Sequence, residues 1–122
     1  MPTPLELRFD RETRTLAIQF DASETPFQLP YEFLRVYSPS AEVQGHRPEE
    51  AILQVGKKEV SITAVEPVGH YAIKPIFSDG HQTGIYTWDY LYRLATQYEV
   101  LWKRYLDALQ LANCSRDAIQ PK

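Results

Sequence analysis

Cysteine is almost missing from this chain: Cys114 is the only one in 122 residues. One thiol excludes an internal disulfide and any cysteine-built metal site. With no basic cluster beside it to lower its pKa, Cys114 reads as a partly exposed, incidental thiol. Long apolar runs are missing as well, so no segment reads as a bilayer-spanning helix. The opening Met-Pro-Thr-Pro-Leu-Glu-Leu-Arg has neither the basic start nor the hydrophobic run of a secretory signal, and cytoplasm is the expected location. An excess of positive charge is absent too. The net charge is −3, and Lys57-Lys58 has Glu59 directly behind it. Without a basic stripe to neutralise phosphates, neither nucleic acid nor an anionic membrane is expected as a partner. No low-complexity stretch, internal repeat, nucleophile elbow or glycine-rich phosphate loop occurs.

What is present reads as one domain of α+β class, a small antiparallel sheet with a short helix and a long C-terminal amphipathic helix. Leu5-Glu6-Leu7-Arg8-Phe9 and Leu16-Ala17-Ile18-Gln19-Phe20 alternate apolar and polar, the signature of half-buried strands joined by a polar hairpin link. Phe27-Gln28-Leu29 is a third short strand. Pro30 suits the start of a helix over residues 31–37, and residues 38–48 read as a loop. Residues 59–65 are β-branched and alternating, with Pro67 expected to end that strand. Residues 71–77 follow, where Pro75 implies an edge position or a bulge. Asp79-Gly80 marks a hairpin whose return strand starts at Gly84-Ile85-Tyr86. Thr87 is a plausible N-cap, and Asp89 suits the positive end of the helix dipole. From there Leu91, Leu94, Ala95, Tyr98, Leu101, Trp102, Tyr105 and Leu109 recur at spacings of three and four. That stripe predicts one helix of about five to six turns, ending near Asn113. The domain is therefore placed at residues 1–112, with 113–122 as a flexible C-terminal tail.

Asp79 and His81 are the most suggestive pair for chemistry. One reading is a residual metal or ligand site at the hairpin tip, with His46 or His70 arriving from other loops. The other is turn chemistry, in which Asp79 bonds its own backbone two residues on and Gly80 supplies a positive φ. Gly69-His70-Tyr71 can shape a pocket, with His70 as proton carrier, or simply turn the chain into the next strand. The aromatics Trp88, Tyr92, Tyr98, Trp102 and Tyr105 either pack the helix on the sheet or leave a surplus for a partner. Homodimerisation is an expectation from that surplus.

Three blocks carry a family resemblance. They are Phe33-Leu34-Arg35 with Ser38-Pro39-Ser40-Ala41-Glu42 and Gly45-His46; Val65-Glu66-Pro67-Val68-Gly69-His70-Tyr71-Ala72; and Phe77-Ser78-Asp79-Gly80-His81 through Gly84-Ile85-Tyr86-Thr87-Trp88-Asp89-Tyr90-Leu91. Together they resemble the gamma-butyrobetaine hydroxylase-like N-terminal domain family. Its members occur alone in bacteria, ahead of the catalytic domain of carnitine-pathway dioxygenases, and fused to Mrp-type ATPases that handle iron–sulfur clusters. In the dioxygenases a structural zinc is held by a Cys-x-Cys-x-x-Cys run and a later histidine. The resemblance places the cysteine positions at Ser38, Ser40 and Val43 and the histidine at His81. Serine hydroxyls stay protonated at neutral pH and valine offers no donor, so His81 is the only retained ligand position and no metal is expected.

No His-x-Asp or His-x-Glu pair is present for the facial triad of a non-haem iron oxygenase. The resemblance therefore implies a non-enzymatic accessory or protein-interaction module without a cofactor. Its implied context is iron–sulfur cluster assembly or delivery, with an iron–sulfur carrier or an Mrp-type ATPase as partner. Exposed parts of Arg35, Asp79, His81, Tyr86 and Trp88 are expected to form the recognition surface. The alternative is a metal- or small-ligand-binding domain that keeps a reduced site around His81.

Overall fold

The two alternating segments near the N-terminus fold back on each other as a hairpin. In the computed structural model, which describes residues 3–44 and 52–117, β1 (Glu6–Asp10) pairs antiparallel with β2 (Thr15–Gln19), setting Leu7 opposite Ile18. Asp10 shapes the turn by accepting bonds from the Glu12 and Thr13 amides at 2.9 and 3.2 Å. β3 (Phe27–Pro30) pairs on the other side of β2, with Leu16 opposite Leu29. The helix expected after Pro30 is α1 (Tyr31–Val36), and every residue of it is buried. A helix buried on all sides must neutralise its charges. Glu32 and Arg35, both under 8% exposed, each hold an ion-pair partner from a distant segment.

Of the loop expected over residues 38–48, residues 45–48 lie outside the described residues; the described part holds a helical turn, α2 (Ala41–Gln44), started by bonds from the Val43 and Gln44 amides to the Ser40 carbonyl. The second sheet has the order β4-β5-β6, with β4 (Ile62–Val68), β5 (Ala72–Phe77) and β6 (Tyr86–Thr87) all antiparallel. Pro67 does not end β4. It lies on an edge strand, where a missing amide is tolerated. Pro75 sits on the central strand, but β6 pairs only with Ala72 and Ile73, so Pro75 has a ladder on one side alone.

The single long helix of the sequence reading is two: α3 (Trp88–Thr96) and α4 (Tyr98–Leu111), broken at Gln97, whose φ is −112° and ψ 15°. The Thr96 hydroxyl bonds back to the Tyr92 and Arg93 carbonyls at 2.9 and 3.3 Å, a local competitor for helix continuation. The stripe survives the break: Leu91, Leu94, Ala95, Leu101, Tyr105 and Leu109 are all buried. Tyr98 and Trp102 stand edge-on to Phe33 of α1, with ring centroids 4.7 and 6.2 Å away. One core joins both sheets and the helices through Leu16, Ile18, Leu29, Phe33, Ile62, Ile73, Phe77, Leu91 and Leu101.

α4 ends in a Schellman motif. Asn113 is left-handed at φ 55°, its amide bonds the Gln110 carbonyl, and the Cys114 amide bonds the Leu109 carbonyl at 2.9 Å. Cys114 is exposed. Within the stretch assigned to the tail, Ser115 and Arg116 accept main-chain bonds from Gly56 and Lys58 at 3.1 and 3.0 Å. Arg116 forks onto Glu32 at 2.7 and 2.8 Å and lies 5.3 Å over the Trp102 ring. Residues 118–122 lie outside the described residues. Because the Glu32 side chain is 6% exposed, losing its counter-charge is costly, though the 37% exposure of Arg116 tempers the effect. Arg116→Ala is expected to destabilise the protein by about 1–2 kcal/mol. Urea denaturation of the variant checks this, with Glu32→Gln in the same background recovering part of the loss.

Candidate functional site

The segment between β5 and β6 closes on the end of α1 and builds a polar cluster there. Gly80, at φ 92°, allows the tight turn after Phe77. The turn is fixed by bonds from the Gly80 amide to the Phe77 carbonyl at 3.0 Å and from the Phe77 amide to the His81 carbonyl at 2.9 Å. Asp79 Oδ1 accepts the His81 amide at 3.2 Å, the bond two residues on that the turn reading expects.

Asp79 Oδ2 accepts from two cations, Arg35 Nε at 2.9 Å and Lys57 Nζ at 2.6 Å. Burial is the largest influence on this carboxyl and pushes its pKa up. The Lys57 ammonium, the His81 amide and the Arg35 guanidinium together outweigh it and hold the group at about 2. One further donor of the cluster, Arg35 Nη1, is buried without a hydrogen-bond partner.

The imidazole of His81 turns inward. Its Nε2 lies 2.8 Å from Ser38 Oγ and 3.3 Å from Ser40 Oγ, and all three residues are buried. Ser38 reaches this position because the chain leaves α1 at Tyr37 and doubles back, held by Gln44 Nε2 on the Ser38 carbonyl at 3.0 Å. Gly84 makes the approach feasible. A Cβ at that position would run into Ser38 Oγ and meet Pro39 Cδ and Tyr86 Cε1 at 3.3 Å. Beneath the cluster, Tyr86 is fully buried and donates its hydroxyl to the Leu34 carbonyl; burial pushes its phenol pKa well up.

The expected recognition surface is divided by this arrangement. Arg35, Asp79, His81 and Tyr86 come together, but Arg35, His81 and Tyr86 are buried at 7%, 8% and 0% exposure and present no outer face. Asp79 reaches the surface through its turn backbone. Trp88 lies at the opposite end of β5, where its Nε1 donates to the His70 carbonyl at 2.8 Å. His70 and His81 therefore flank the two ends of a six-residue strand, on the order of 20 Å apart. Those two cannot share a metal, and His46 lies outside the described residues. Sequence reasoning missed Lys57 and Gly84; Lys57 had only its charge to show, and Gly84 gave no sign of the side chain that approaches it.

The zinc positions of the family do converge, since Ser38, Ser40 and His81 meet. Their donor chemistry does not fit zinc. Both hydroxyls stay protonated at neutral pH, and Val43, 5% exposed, brings no donor. Among the described residues no group of three His, Cys, Asp or Glu side chains is placed to hold a metal ion. Ser38 is also fully buried, which denies its hydroxyl access to any substrate. Among the described residues no helix is long and apolar enough to cross a membrane.

The fold is an α+β domain of two three-stranded antiparallel sheets, with the segment between β5 and β6 locked onto the end of a buried helix. The chain belongs to the gamma-butyrobetaine hydroxylase-like N-terminal family, whose model matches residues 7–92. Two solution NMR structures are similar to it at 47% and 45% identity. They cover 99% and 100% of this chain and 94% and 90% of their own, with TM-scores of 0.84 and 0.81. A crystal structure of a protein of unknown function from Acidithiobacillus ferrooxidans, assigned to the DUF971 family, is 42% identical. It covers 75% of this chain and 91% of its own, with a TM-score of 0.61. Among the curated proteins no relative matches.

Proposed function

We propose that this chain is a non-enzymatic protein-interaction module of the cytoplasm. The observation that carries the reading is the direction of His81. The one retained ligand position of the family is bonded inward to Ser38 and Ser40, so the cluster acts as an internal clasp for the hairpin. What the hairpin then offers outward is the exposed turn at Ser78, Asp79 and Gly80, continued by Gln82 and Thr83. By resemblance to the members fused to Mrp-type ATPases, the proposed context is iron–sulfur cluster assembly or delivery. The chain would contact a carrier or an ATPase there and hold no cluster itself. An anaerobic pull-down from bacterial extract, read by mass spectrometry, tests this. Enrichment of iron–sulfur carriers or an Mrp-type ATPase is expected; recovery of the protein alone, or only with itself, overturns it.

One feature favours a second reading, a metal- or small-ligand-binding domain. Three of the four family positions still converge, with the Ser38 and Ser40 hydroxyls 2.8 and 3.3 Å from the imidazole. Near-stoichiometric metal after tag-free purification, lost in His81→Ala, is the result that would favour it.

A further inference from the structure

We propose that β1 is the seam of a homodimer, pairing antiparallel with the same strand of a second copy so that Leu7 faces the partner's Leu7. This goes beyond the interaction reading above and uses a different surface. β1 is an edge strand bonded to β2 on one side, and no strand among the described residues pairs with its other side. An open row of backbone donors and acceptors is a template for another strand.

The side chains select both the occupant and the register. Glu6, Arg8 and Asp10 alternate with Leu5, Leu7 and Phe9, and the two sets point to opposite faces. Leu7 and Phe9 pack against the core, whereas Leu5 stands 64% exposed beyond it. Arg8 and Glu6 pair with each other at 3.0 Å, but with side chains 74% and 52% exposed this surface pair holds little energy and can re-form across a seam. Directly opposed residues of an antiparallel pair share a face, so a twofold seam must be centred on a residue.

Centring on Glu6 stacks Glu6 on the partner's Glu6. Centring on Arg8 stacks Arg8 on the partner's Arg8 and Glu6 on the partner's Asp10. Like charges directly opposite are unfavourable. Centring on Phe9 sets Leu7 against the partner's Arg11, where the chain has left the strand, and relies on an Asp10 already bound to two turn amides. Centring on Leu7 avoids the like-charge pairs and keeps every opposed residue within or next to the strand. Glu6 then faces the partner's Arg8, Arg8 faces the partner's Glu6, and exposed Leu5 is covered by the partner's Phe9. The extended chain reaches that far, since the Leu5 amide still bonds the Gln19 carbonyl at 2.7 Å. The result is one continuous sheet in the order β3-β2-β1-β1-β2-β3.

Sedimentation equilibrium at low salt, from micromolar to millimolar protein, tests the seam with two charge reversals. The full-length wild-type chain is expected to dimerise. Glu6→Arg and Arg8→Glu each place two like-charge pairs in the seam and are expected to weaken self-association about tenfold or more. Mixed together, the two variants restore both opposite-charge pairs and are expected to associate with each other as the wild type does with itself. Both substitutions lie on the open face of an edge strand, and circular dichroism of each variant verifies that the monomer is folded. A wild-type chain that stays monomeric over the whole range overturns the proposal. So does a pair of variants that self-associate as well as the wild type, or that fail to associate with each other. None of these outcomes bears on the pull-down, whose partners would meet the turn at the far sheet.

Discussion

Asp79→Ala is expected to destabilise the protein by about 3 kcal/mol, the lower end of the range for breaking a buried ion pair. The thermal midpoint should fall by about 10 °C. Three bonds vanish at once, from Arg35 Nε, Lys57 Nζ and the His81 amide. Lys57 can turn its ammonium toward water. Arg35 cannot, because its side chain is 9% exposed and its Nη1 is already buried without a partner. The alanine variant therefore leaves a buried guanidinium with no counter-charge, and the loss of an uncompensated charge exceeds the loss of the bonds themselves. Asp79→Asn keeps an acceptor but not the charge and should fall between the two.

Acidification reports the same interaction. The native carboxyl sits at about 2 against an ordinary 3.8, so between those values the unfolded chain binds more protons than the folded one. Stability from this group is complete above the ordinary value and is lost as pH falls toward 2, a loss of about 2 kcal/mol. Urea midpoints measured from pH 5 down to pH 2 should show this limb in the wild type and not in Asp79→Asn. Parallel curves for the two proteins would mean that Asp79 is not the group holding Arg35.

The sequence made the elements legible and hid the contacts between them. Alternation placed β1 and β2, and the stripe from Leu91 to Leu109 identified every buried residue of α3 and α4. The break at Gln97 left no mark, because Gln is a good helix former and the apolar spacing runs straight through it. Pro67 misled for the opposite reason. A proline reads as a stop, yet on an edge strand it costs little. The meeting of Ser38, Ser40 and His81 followed from the family resemblance, not from any local pattern, since residues separated by more than 40 positions carry no sign of contact. Burial of Arg35 and His81 was invisible for a related cause. Charged and imidazole side chains are read as surface by composition, and only the surrounding packing of α1 and the hairpin covers them. The docking of Ser115 and Arg116 depends on Glu32, which gives no hint that it lies inside.

Gly84→Ala is expected to cost about 2–3 kcal/mol, through overpacking rather than backbone strain. The new methyl would occupy the place of Ser38 Oγ, with Pro39 Cδ and Tyr86 Cε1 closing the flanks at 3.3 Å. Ser38 has no long stem to bend away. Its hydroxyl can escape only by rotating, which gives up the 2.8 Å bond to His81 inside a buried site. The mechanism can be isolated with a second substitution. Ser38→Ala removes the obstructing oxygen and by itself should cost about 1 kcal/mol for the lost bond, with Ser40 Oγ still 3.3 Å from the imidazole. In that background the severe approach to Ser38 Oγ is gone, and Gly84→Ala should cost about 1 kcal/mol or less. The cycle is therefore expected to be non-additive by at least about 1 kcal/mol, as befits residues in direct contact. Denaturant titration of the four proteins measures it. Additive losses would place the strain elsewhere and show that the serine–histidine clasp does not depend on the missing side chain at position 84.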